Sequence, residues 1–389
     1  MEFAFTPEQE ELRAQVRDLC SHFPTTYWRE ADQARAYPEA FVQTLTQARY
    51  LSALIPREYG GLGLGVTEAS IVLEEINRSG GNSAACHAQM YIMGALVRHG
   101  SEEQKRRWLP EIARGALRLQ AFSITEPEAG SDTAKISTLA VREGDGYIVN
   151  GHKNWTSRIE QSDLLLLLAR TTPREQTTKR TGGLSLFLVD LREARRQEGA
   201  LQVKRVHTMF NYETYQVTYH DLRLPAGSLI GEEGSGFRYV IDGWNAERIL
   251  LAAEAIGDGY WFIEKAARYA RERVVFDAPI GRNQGVQFPL AHNHATITAA
   301  DLMRYKAAWL FDHGQSCGAE ANMAKLLASE ASWDAANTCL NTYGGNGFVD
   351  EYDVERKFRE TRLYQIAPVN NNLVLAYVAT HVLGLPRSY

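Results

Sequence analysis

The segment FSITEPEAGSD, residues 122–132, divides the sequence into a helical part before it and a strand-rich part after it. It carries the hydroxyl side chains of Ser123, Thr125 and Ser131 beside Gly130, so it offers hydrogen-bonding groups together with accessible backbone N–H groups. That set suits the polar edge of a planar heterocycle. It equally suits a turn-rich connection between two domains, and composition alone does not choose between these interpretations.

Helix signals dominate the residues before this segment. Thr6 with Gln9, and Ser101 with Gln104, each form the pattern of a capping box, in which two side chains satisfy the first backbone N–H groups of a helix. The spacing of apolar residues predicts two further helices. They cover residues 68–77 and 84–99.

Strand signals follow the segment. Short apolar runs predict buried strands over residues 164–169, 184–189 and 217–222. The dipeptide Asn150-Gly151 follows the apolar residues 147–149 and predicts a hairpin turn, because this dipeptide favours the positive φ angles of tight hairpins. The middle of the chain is therefore predicted to be a β domain.

Helical periodicity returns after Gly236 and continues to the end of the chain. The predicted helices cover residues 237–273, 286–313, 319–343 and 354–363, with a last helix after Asn370. The sequence thus predicts three domains. They are a helical domain over residues 1–119, a β domain over 120–232 and a helical bundle over 233–389.

Composition excludes several classes of protein. The 389 residues include 44% hydrophobic and 23% charged residues, a usual globular balance, and the net charge of −5 argues against a nucleic-acid-binding protein. No apolar run reaches the roughly 20 residues of a membrane span, and the first residues resemble neither a signal nor a transit peptide. We therefore expect a cytoplasmic protein with no membrane segment.

Common metal and dinucleotide sites are also not expected. Four cysteines lie far apart in the sequence, which favours buried free thiols, and the spacing of His292 and His294 sends them to different faces of a helix. Two glycine clusters, residues 61–65 and 231–236, lack the spacing of a Rossmann fingerprint.

A second informative segment, KNWTS, covers residues 153–157. Trp155 could stack on an aromatic cofactor while Thr156 and Ser157 form hydrogen bonds to the edge of its ring. The alternative is a half-buried tryptophan of a strand, which is the commoner situation for an isolated Trp.

Two more segments offer groups suited to phosphate and adenine. RVVFDAPIGRNQGVQF, residues 273–288, carries Arg273, Phe276 and Gln284, and NTYGGNGF, residues 341–348, places a glycine turn after a helix. Taken singly, the first could be a solvated charge beside a core Phe, and the second could be an ordinary helix C-cap.

Together and in this order, the four segments resemble the acyl-CoA dehydrogenase family. The resemblance extends from FTPEQEELR, residues 5–13, to the final helices. It implies an N-terminal α-helical domain, a central β-barrel-like domain and a C-terminal four-helix bundle, assembled as a homotetramer or dimer that binds FAD.

The resemblance also assigns residues to the cofactor and to the substrate. Cofactor contacts are implied for Phe122, Ser123, Thr125, Gly130, Ser131, Trp155, Thr156, Ser157, Arg273, Phe276, Gln284, Asn341, Gly344, Gly345, Asn370 and Asn372. Arg273, Phe276, Gln284 and the Asn341–Gly345 turn would contact the FAD of a neighbouring subunit, although Asn341 stands where the family commonly has Gln. Contacts to the CoA part of the substrate are implied for Ser131, Asn245 and Arg248.

The catalytic base departs from the usual pattern of the family. Most members carry a Glu in a loop near the C-terminus, but here that loop reads IAPVNNN, residues 366–372, and Pro368 occupies the Glu position. A minority, which resembles isovaleryl-CoA dehydrogenase, has the base directly before an Arg on the long helix after the β domain, where this chain has Glu247. Glu247 is therefore the predicted base; a structural ion-pairing role for it and Glu254 as a competing base remain alternatives.

The predicted function is α,β-desaturation of an acyl-CoA, with electrons passed from FAD to an electron-transfer flavoprotein. The first alternative is a flavin oxidase or monooxygenase of the same fold that acts on a non-CoA substrate. The second is a flavin-free scaffold or acyl-CoA-binding protein. The helix over residues 84–99 is expected to line the acyl pocket, through Met90, Met93 and Gly94 or with these residues in the core.

Overall fold

Helices form the first part of the chain, and their capping residues act as the sequence predicts. The computed structural model describes residues 4–387. Thr6 Oγ1 accepts a hydrogen bond from the Gln9 N–H at 3.2 Å, and Ser101 Oγ accepts one from the Gln104 N–H at 3.1 Å. The helices are α1 (Pro7–Ser21), α2 (Thr25–Ala34), α3 (Glu39–Gln47), α4 (Val66–Arg78), α5 (Ala88–His99) and α6 (Glu102–Ala113).

The strands of the middle part form one sheet. They are β1 (Leu119–Ser123), β2 (Leu139–Glu143), β3 (Gly146–Lys153), β4 (Leu164–Arg170), β5 (Leu184–Asp190), β6 (Leu201–Val206), β7 (Thr214–Pro225) and β8 (Leu229–Ile230), with the short helix α7 (Leu191–Ala194) between β5 and β6. Their order is β6-β7-β3-β2-β4-β5-β8, and β1 pairs with β4 in parallel.

Strand β4 is buried on both faces, which explains its continuous apolar sequence. Leu164, Leu166 and Leu168 belong to one hydrophobic cluster, shared with α5 and α6, whereas Leu165 and Leu167 belong to a second cluster within the β domain. Since successive side chains of a strand point to opposite faces, β4 joins the helical part of the core to the β part. The packing of β4 on the helices places Leu166 in the wall of the candidate active site.

The predicted hairpin turn at Asn150-Gly151 is wrong. Strand β3 continues through this dipeptide, and the register of β3 against β7 shifts between Val149 and Gly151, so the dipeptide forms a bulge. Glycine is needed at position 151 because a Cβ atom there would lie 2.4 Å from Thr138 Oγ1. The chain instead turns between Glu143 and Gly146, which are paired partners.

Long helices form the last part of the chain. They are α8 (Gly236–Glu272), α9 (Gln284–Asp312), α10 (Gly318–Tyr343), α11 (Val354–Thr361) and α12 (Asn371–Tyr377), with the hairpin β9 (Val274–Val275) and β10 (Ala278–Pro279) between α8 and α9. Helix α4 crosses α8 closely at Gly257, where a Cβ atom would lie 2.3 Å from the Glu74 carbonyl oxygen.

The fold thus has helical N-terminal and C-terminal regions on either side of a central sheet domain, as the sequence predicts. The helix predicted over residues 84–99 begins later, at Ala88, after a short 3₁₀ turn over Ser83–Ala85. Cys20, Cys86, Cys317 and Cys339 are buried free thiols. Within residues 4–387, no helix has both the length and the apolar composition that would be needed to cross a bilayer.

Candidate active site

A pocket lies where α5 and α8 meet the sheet. Its walls are mainly apolar and aromatic, and they include Tyr91, Ile92 and Ala95 of α5, Phe122 of β1, Leu166 of β4 and Tyr239, Val240, Gly243, Trp244 and Glu247 of α8. Glu247 is the carboxylate among the lining residues. The pocket therefore combines apolar walls with one acidic group, an arrangement typical of a site for proton abstraction from a carbon acid.

Glu247 is held in a dry environment. Only 7% of the residue is exposed, and burial raises the pKa of its carboxyl group to about 7, although the positive charge of Arg248 and the nearby Tyr91 side chain oppose this rise. A carboxylate with a pKa near neutrality can accept a proton at physiological pH and release it again. The environment of Glu247 therefore suits a general base.

Glu254, the competing candidate for the base, is already paired with a histidine. Its Oε1 atom lies 2.6 Å from Nδ1 of His87, and Glu254 is fully buried. Glu254 is not among the residues that line the pocket, whereas Glu247 is. This geometry favours Glu247 over Glu254 as the group that contacts a substrate.

The loop after α11, which contains Pro368, carries no acidic side chain from Ile366 to Asn372. It is held by Lys325 of α10, whose Nζ donates hydrogen bonds to the Val369 carbonyl oxygen and to Asn371 Oδ1, both at 2.7 Å. Burial lowers the pKa of Lys325 to about 7, with a further contribution from Arg248. Lys325 therefore fixes the position of this loop.

A buried ion pair anchors the segment of residues 122–132. Lys153 Nζ lies 3.0 Å from Glu126 Oε1 and donates a hydrogen bond to the Ile124 carbonyl oxygen at 2.7 Å. Burial alone would raise the pKa of Glu126, but Lys153 and hydrogen bonds from Ser137 and Thr138 outweigh it and hold that pKa at about 2. The ion pair joins the two informative segments that the sequence places about 30 residues apart.

The hydroxyl residues of these two segments do not all face outward. Ser123 Oγ lies 3.0 Å from Thr156 Oγ1 and accepts a hydrogen bond from the Tyr219 hydroxyl at 3.0 Å, and both Ser123 and Thr156 are fully buried. The side chains of Ser123 and Thr156 therefore point into the protein, where their hydrogen bonds hold the two segments in place. Ser157 is buried too, and its Oγ donates to Thr214 Oγ1 at 3.1 Å.

Trp155, in contrast, is 55% exposed, so it is not the half-buried strand residue of the alternative interpretation. Its φ of 60° lies in the left-handed region, which is costly for a bulky residue and turns it away from the strand. Thr125 is half-buried and Gly130 is exposed. A ring system could therefore bind against Trp155, Thr125 and Gly130.

Ser131 and Asn370, which lie far apart in the sequence, are in contact. Asn370 Nδ2 donates to Ser131 Oγ at 2.8 Å, while Asn370 Oδ1 caps α12 by accepting from the Leu373 N–H. Asn372, one residue into the helix, is exposed, and Asn371 rather than Asn372 is bound to Lys325. The contact closes the C-terminal loop onto the segment of residues 122–132.

Asn245 and Arg248 lie one turn apart on α8, next to the pocket. Arg248 donates to Asn245 Oδ1 at 3.5 Å, and its guanidinium lies 5.6 Å from the centre of the Trp244 ring. Burial lowers the pKa of Arg248. Arg248 Nε is buried and donates to no acceptor within the described part of the chain.

The residues predicted to contact a neighbouring subunit form a separate, exposed group. Phe276 is 98% exposed at the tip of the β9–β10 hairpin, where Phe276 and Asp277 have φ angles of 52° and 61°. The hairpin begins at Arg273, whose N–H bonds to the Tyr269 carbonyl oxygen, and Tyr269 stacks on Tyr343 at 4.0 Å. The exposed members of this group are Arg273, Phe276, Gln284, Asn341, Gly344 and Gly345.

Several residues with a clear place in the site were not identified from the sequence. They are Tyr91, Glu126, Lys153, Tyr219, Lys325 and Asn371. Glu126 and Lys153 lie within residues 122–132 and 153–157, so a comparison of the charged residues of these two segments would identify them as a possible ion pair. Tyr91 lies on the helix expected to line the pocket, but Met90 and Met93 face the core while Tyr91, Ile92 and Ala95 line the pocket.

No group of three or more His, Cys, Asp or Glu side chains that could bind a metal ion is found between residues 4 and 387.

Comparison with known protein families gives matches along most of the chain. Residues 6–116 match the N-terminal domain of acyl-CoA dehydrogenases, residues 121–222 match the middle domain, and residues 234–383 match the C-terminal domain.

Individual proteins of known sequence or structure also resemble this chain along nearly its whole length. The chain is 36% identical over 392 residues to the acyl-CoA dehydrogenase FadE12 of Mycobacterium tuberculosis strain H37Rv, covering 100% of this chain and 99% of the relative. It is 30% identical to the 3-(aryl)acrylate reductase of Clostridium sporogenes, covering 97% and 99%. Among solved structures, a glutaryl-coenzyme A dehydrogenase in complex with glutaryl-CoA superposes with a TM-score of 0.92 at 29% identity, covering 100% of this chain and 98% of that chain.

Proposed function

Because this chain belongs to the acyl-CoA dehydrogenase family, whose members are flavoprotein oxidoreductases acting on CH–CH groups, we propose that it oxidises an acyl-CoA to the 2-enoyl-CoA. One observation carries this proposal: a buried carboxylate with a pKa of about 7, Glu247, lies in an apolar pocket next to the segment that carries Phe122.

The proposed first step is the removal of the substrate α-proton by Glu247. Burial makes the carboxylate basic enough to accept this proton near neutral pH, and the side chain of Tyr91 lines the pocket beside it. The apolar walls of the pocket exclude water from the carbanionic centre. Arg248 and Asn245, at the half-buried side of the pocket, suit the binding of the CoA moiety through charge and hydrogen bonding.

The residues present fit a flavin, and we propose FAD. The exposed ring of Trp155, the half-buried Thr125 and the open backbone at Gly130 would hold the ring system, with Ser123 and Thr156 supporting them from behind. Bound FAD would supply the acceptor for the hydride that leaves the β-carbon. Ser131, with Asn370 attached to it, would contact the cofactor or CoA phosphates.

The assembly is proposed to be a homotetramer, or a dimer, in which the exposed group around Phe276 contacts the FAD of a neighbouring subunit. Val274, Val275 and Phe276 are 54%, 41% and 98% exposed, and such a contiguous exposed apolar patch on this hairpin supports its burial against another subunit. We propose an electron-transfer flavoprotein as the electron acceptor.

The test is anaerobic mixing of the FAD-loaded protein with acyl-CoAs, followed through the flavin absorbance. We expect bleaching and formation of the 2-enoyl product in the wild type, and a loss of at least about 100-fold in the rate for Glu247→Gln, as for removal of a general base. Glu264→Gln is the matched control, since it lies on the same helix in an exposed ion pair with Arg78. A Glu247→Gln variant that bleaches as fast as the wild type would exclude Glu247 as the base.

The absence of a carboxylate in the loop containing Pro368 keeps one alternative open to the same test. A flavin oxidase or monooxygenase of this fold would consume O₂ rapidly with a non-CoA substrate and would show no bleaching with any acyl-CoA.

A further inference from the structure

The pocket between α5 and α8 has an open end and a closed end. Residues 241–245 of α8 are exposed or half-buried, whereas residues 249–259 are all buried. Glu247 lies at the boundary between these two stretches. A substrate would therefore enter from the side of residues 241–245 and reach Glu247 at the inner end.

Contacts between the two helices define that inner end. Towards the open side, the rings of His99 and Tyr239 stack at 4.2 Å. Towards the inside, His87 Nδ1 lies 2.6 Å from Glu254 Oε1. The helices α5 and α8 are thus antiparallel. Tyr91 and Glu247 are the innermost residues that line the pocket.

Behind Tyr91 the space between the helices is filled by polar groups. The His87 ring packs edge-on against Tyr91, with ring centroids 5.5 Å apart, and 2% of His87 is exposed. Arg158 NH2 lies 3.5 Å from His87 Nε2, so the imidazole is placed between a guanidinium and the Glu254 carboxylate. An apolar chain that entered this layer would separate buried polar groups from their hydrogen-bond partners, which is unfavourable.

The inner end of the pocket offers limited room. Tyr91 and Glu247 line it together, and part of the space between the walls must hold the thioester group. Since the base acts on the α-carbon and lies at the closed end, little space remains for carbons beyond it.

We propose that the Tyr91 ring is the stop that limits the length of the acyl chain, and that the substrates are short-chain rather than medium- or long-chain acyl-CoAs. The proposal rests on the proposed function and adds a substrate class to it. The ring of Tyr91 blocks the path between α5 and α8, and the layer of His87, Glu254 and Arg158 makes the space behind it unfavourable for an alkyl chain.

The experiment compares butyryl-CoA with octanoyl-CoA by anaerobic stopped-flow reduction of the flavin. The measured quantity is the ratio of the two second-order rate constants, octanoyl over butyryl, in the FAD-loaded wild type, Tyr91→Phe and Tyr91→Ala. Tyr91→Phe keeps the ring and is the matched control. Tyr91→Leu replaces Tyr91→Ala if the smaller residue prevents folding.

We expect the wild type to prefer butyryl-CoA by at least tenfold, Tyr91→Phe to keep the same ratio even if both rates fall, and Tyr91→Ala to raise the ratio at least tenfold. A wild type that reduces its flavin faster with octanoyl-CoA, or an unchanged ratio in Tyr91→Ala, would overturn the assignment of Tyr91. Absence of bleaching with every acyl-CoA in the wild type would instead reject the proposed function itself.

Discussion

The raised pKa of Glu247 should be visible as a pH-dependent loss of stability. Burial raises this pKa from 4.5 to about 7 in the folded protein. Between these two values the folded state binds a proton that the unfolded state has released, so the free energy of unfolding falls as the pH rises. The stabilising contribution of the protonated Glu247 side chain is fully present below pH 4.5 and is lost by the time the pH exceeds 7.

The size of the effect follows from the same two values. One pKa unit corresponds to about 1.4 kcal/mol, so ionisation of Glu247 costs the folded state about 3 kcal/mol above pH 7. Glu247→Gln removes the ionisable group while keeping the side-chain shape. We therefore expect this variant to gain about 2–3 kcal/mol relative to the wild type when the pH is raised from 5 to 8.5.

The assay is thermal unfolding at saturating FAD, at pH 5 and pH 8.5, of the wild type, Glu247→Gln and the control Glu264→Gln. The melting temperature of Glu247→Gln relative to the wild type should increase by about 3 °C between the two pH values, while that of Glu264→Gln should change little. A Glu247→Gln variant whose melting temperature differs from the wild type by the same amount at both pH values would refute the raised pKa.

Three further predictions concern the cofactor, the fold and the assembly. Trp155→Ala should weaken FAD binding at least tenfold, measured by fluorescence titration of the apoprotein, because it removes the exposed ring against which the flavin is proposed to bind. Lys153→Met should lower the free energy of unfolding by about 3–5 kcal/mol, measured by urea denaturation, because it leaves Glu126 buried without its cation. Phe276→Ala should weaken subunit association by about 10–100-fold, measured by sedimentation at several concentrations, since an exposed phenyl group gains about 1.5–3 kcal/mol when buried; an unchanged value in any of these measurements contradicts the corresponding assignment.

Much of the architecture follows from local sequence signals. Capping boxes at Thr6 and Ser101 mark helix starts in both the sequence and the structure, because a cap depends only on residues three positions apart. The continuous apolar run of β4 identifies a strand buried on both faces. The four informative segments indicate the family from the sequence alone, since each is a continuous stretch of residues and their order along the chain can be read directly.

Non-local contacts decided what the sequence could not. Asn150-Gly151 has the local signal of a turn, but pairing of β3 with strands on both sides extends the strand through it, and the gain from that pairing exceeds the local preference. The sequence also does not show which polar groups of residues 122–132 and 153–157 face outward. The side chain of Ser123 is buried against Tyr219, which comes from a strand almost a hundred residues away.

The pocket shows the same division. Glu247 and Glu254 lie two turns apart on one face of α8, so helical periodicity alone treats them as equivalent. Tertiary packing separates them, because α5 sets His87 against Glu254 and Tyr91 against Glu247, leaving one carboxylate at the end of a pocket and the other in a buried polar layer. The sequence determined which residues can carry the chemistry, and the packing of α5 on α8 determined which of them a substrate can reach.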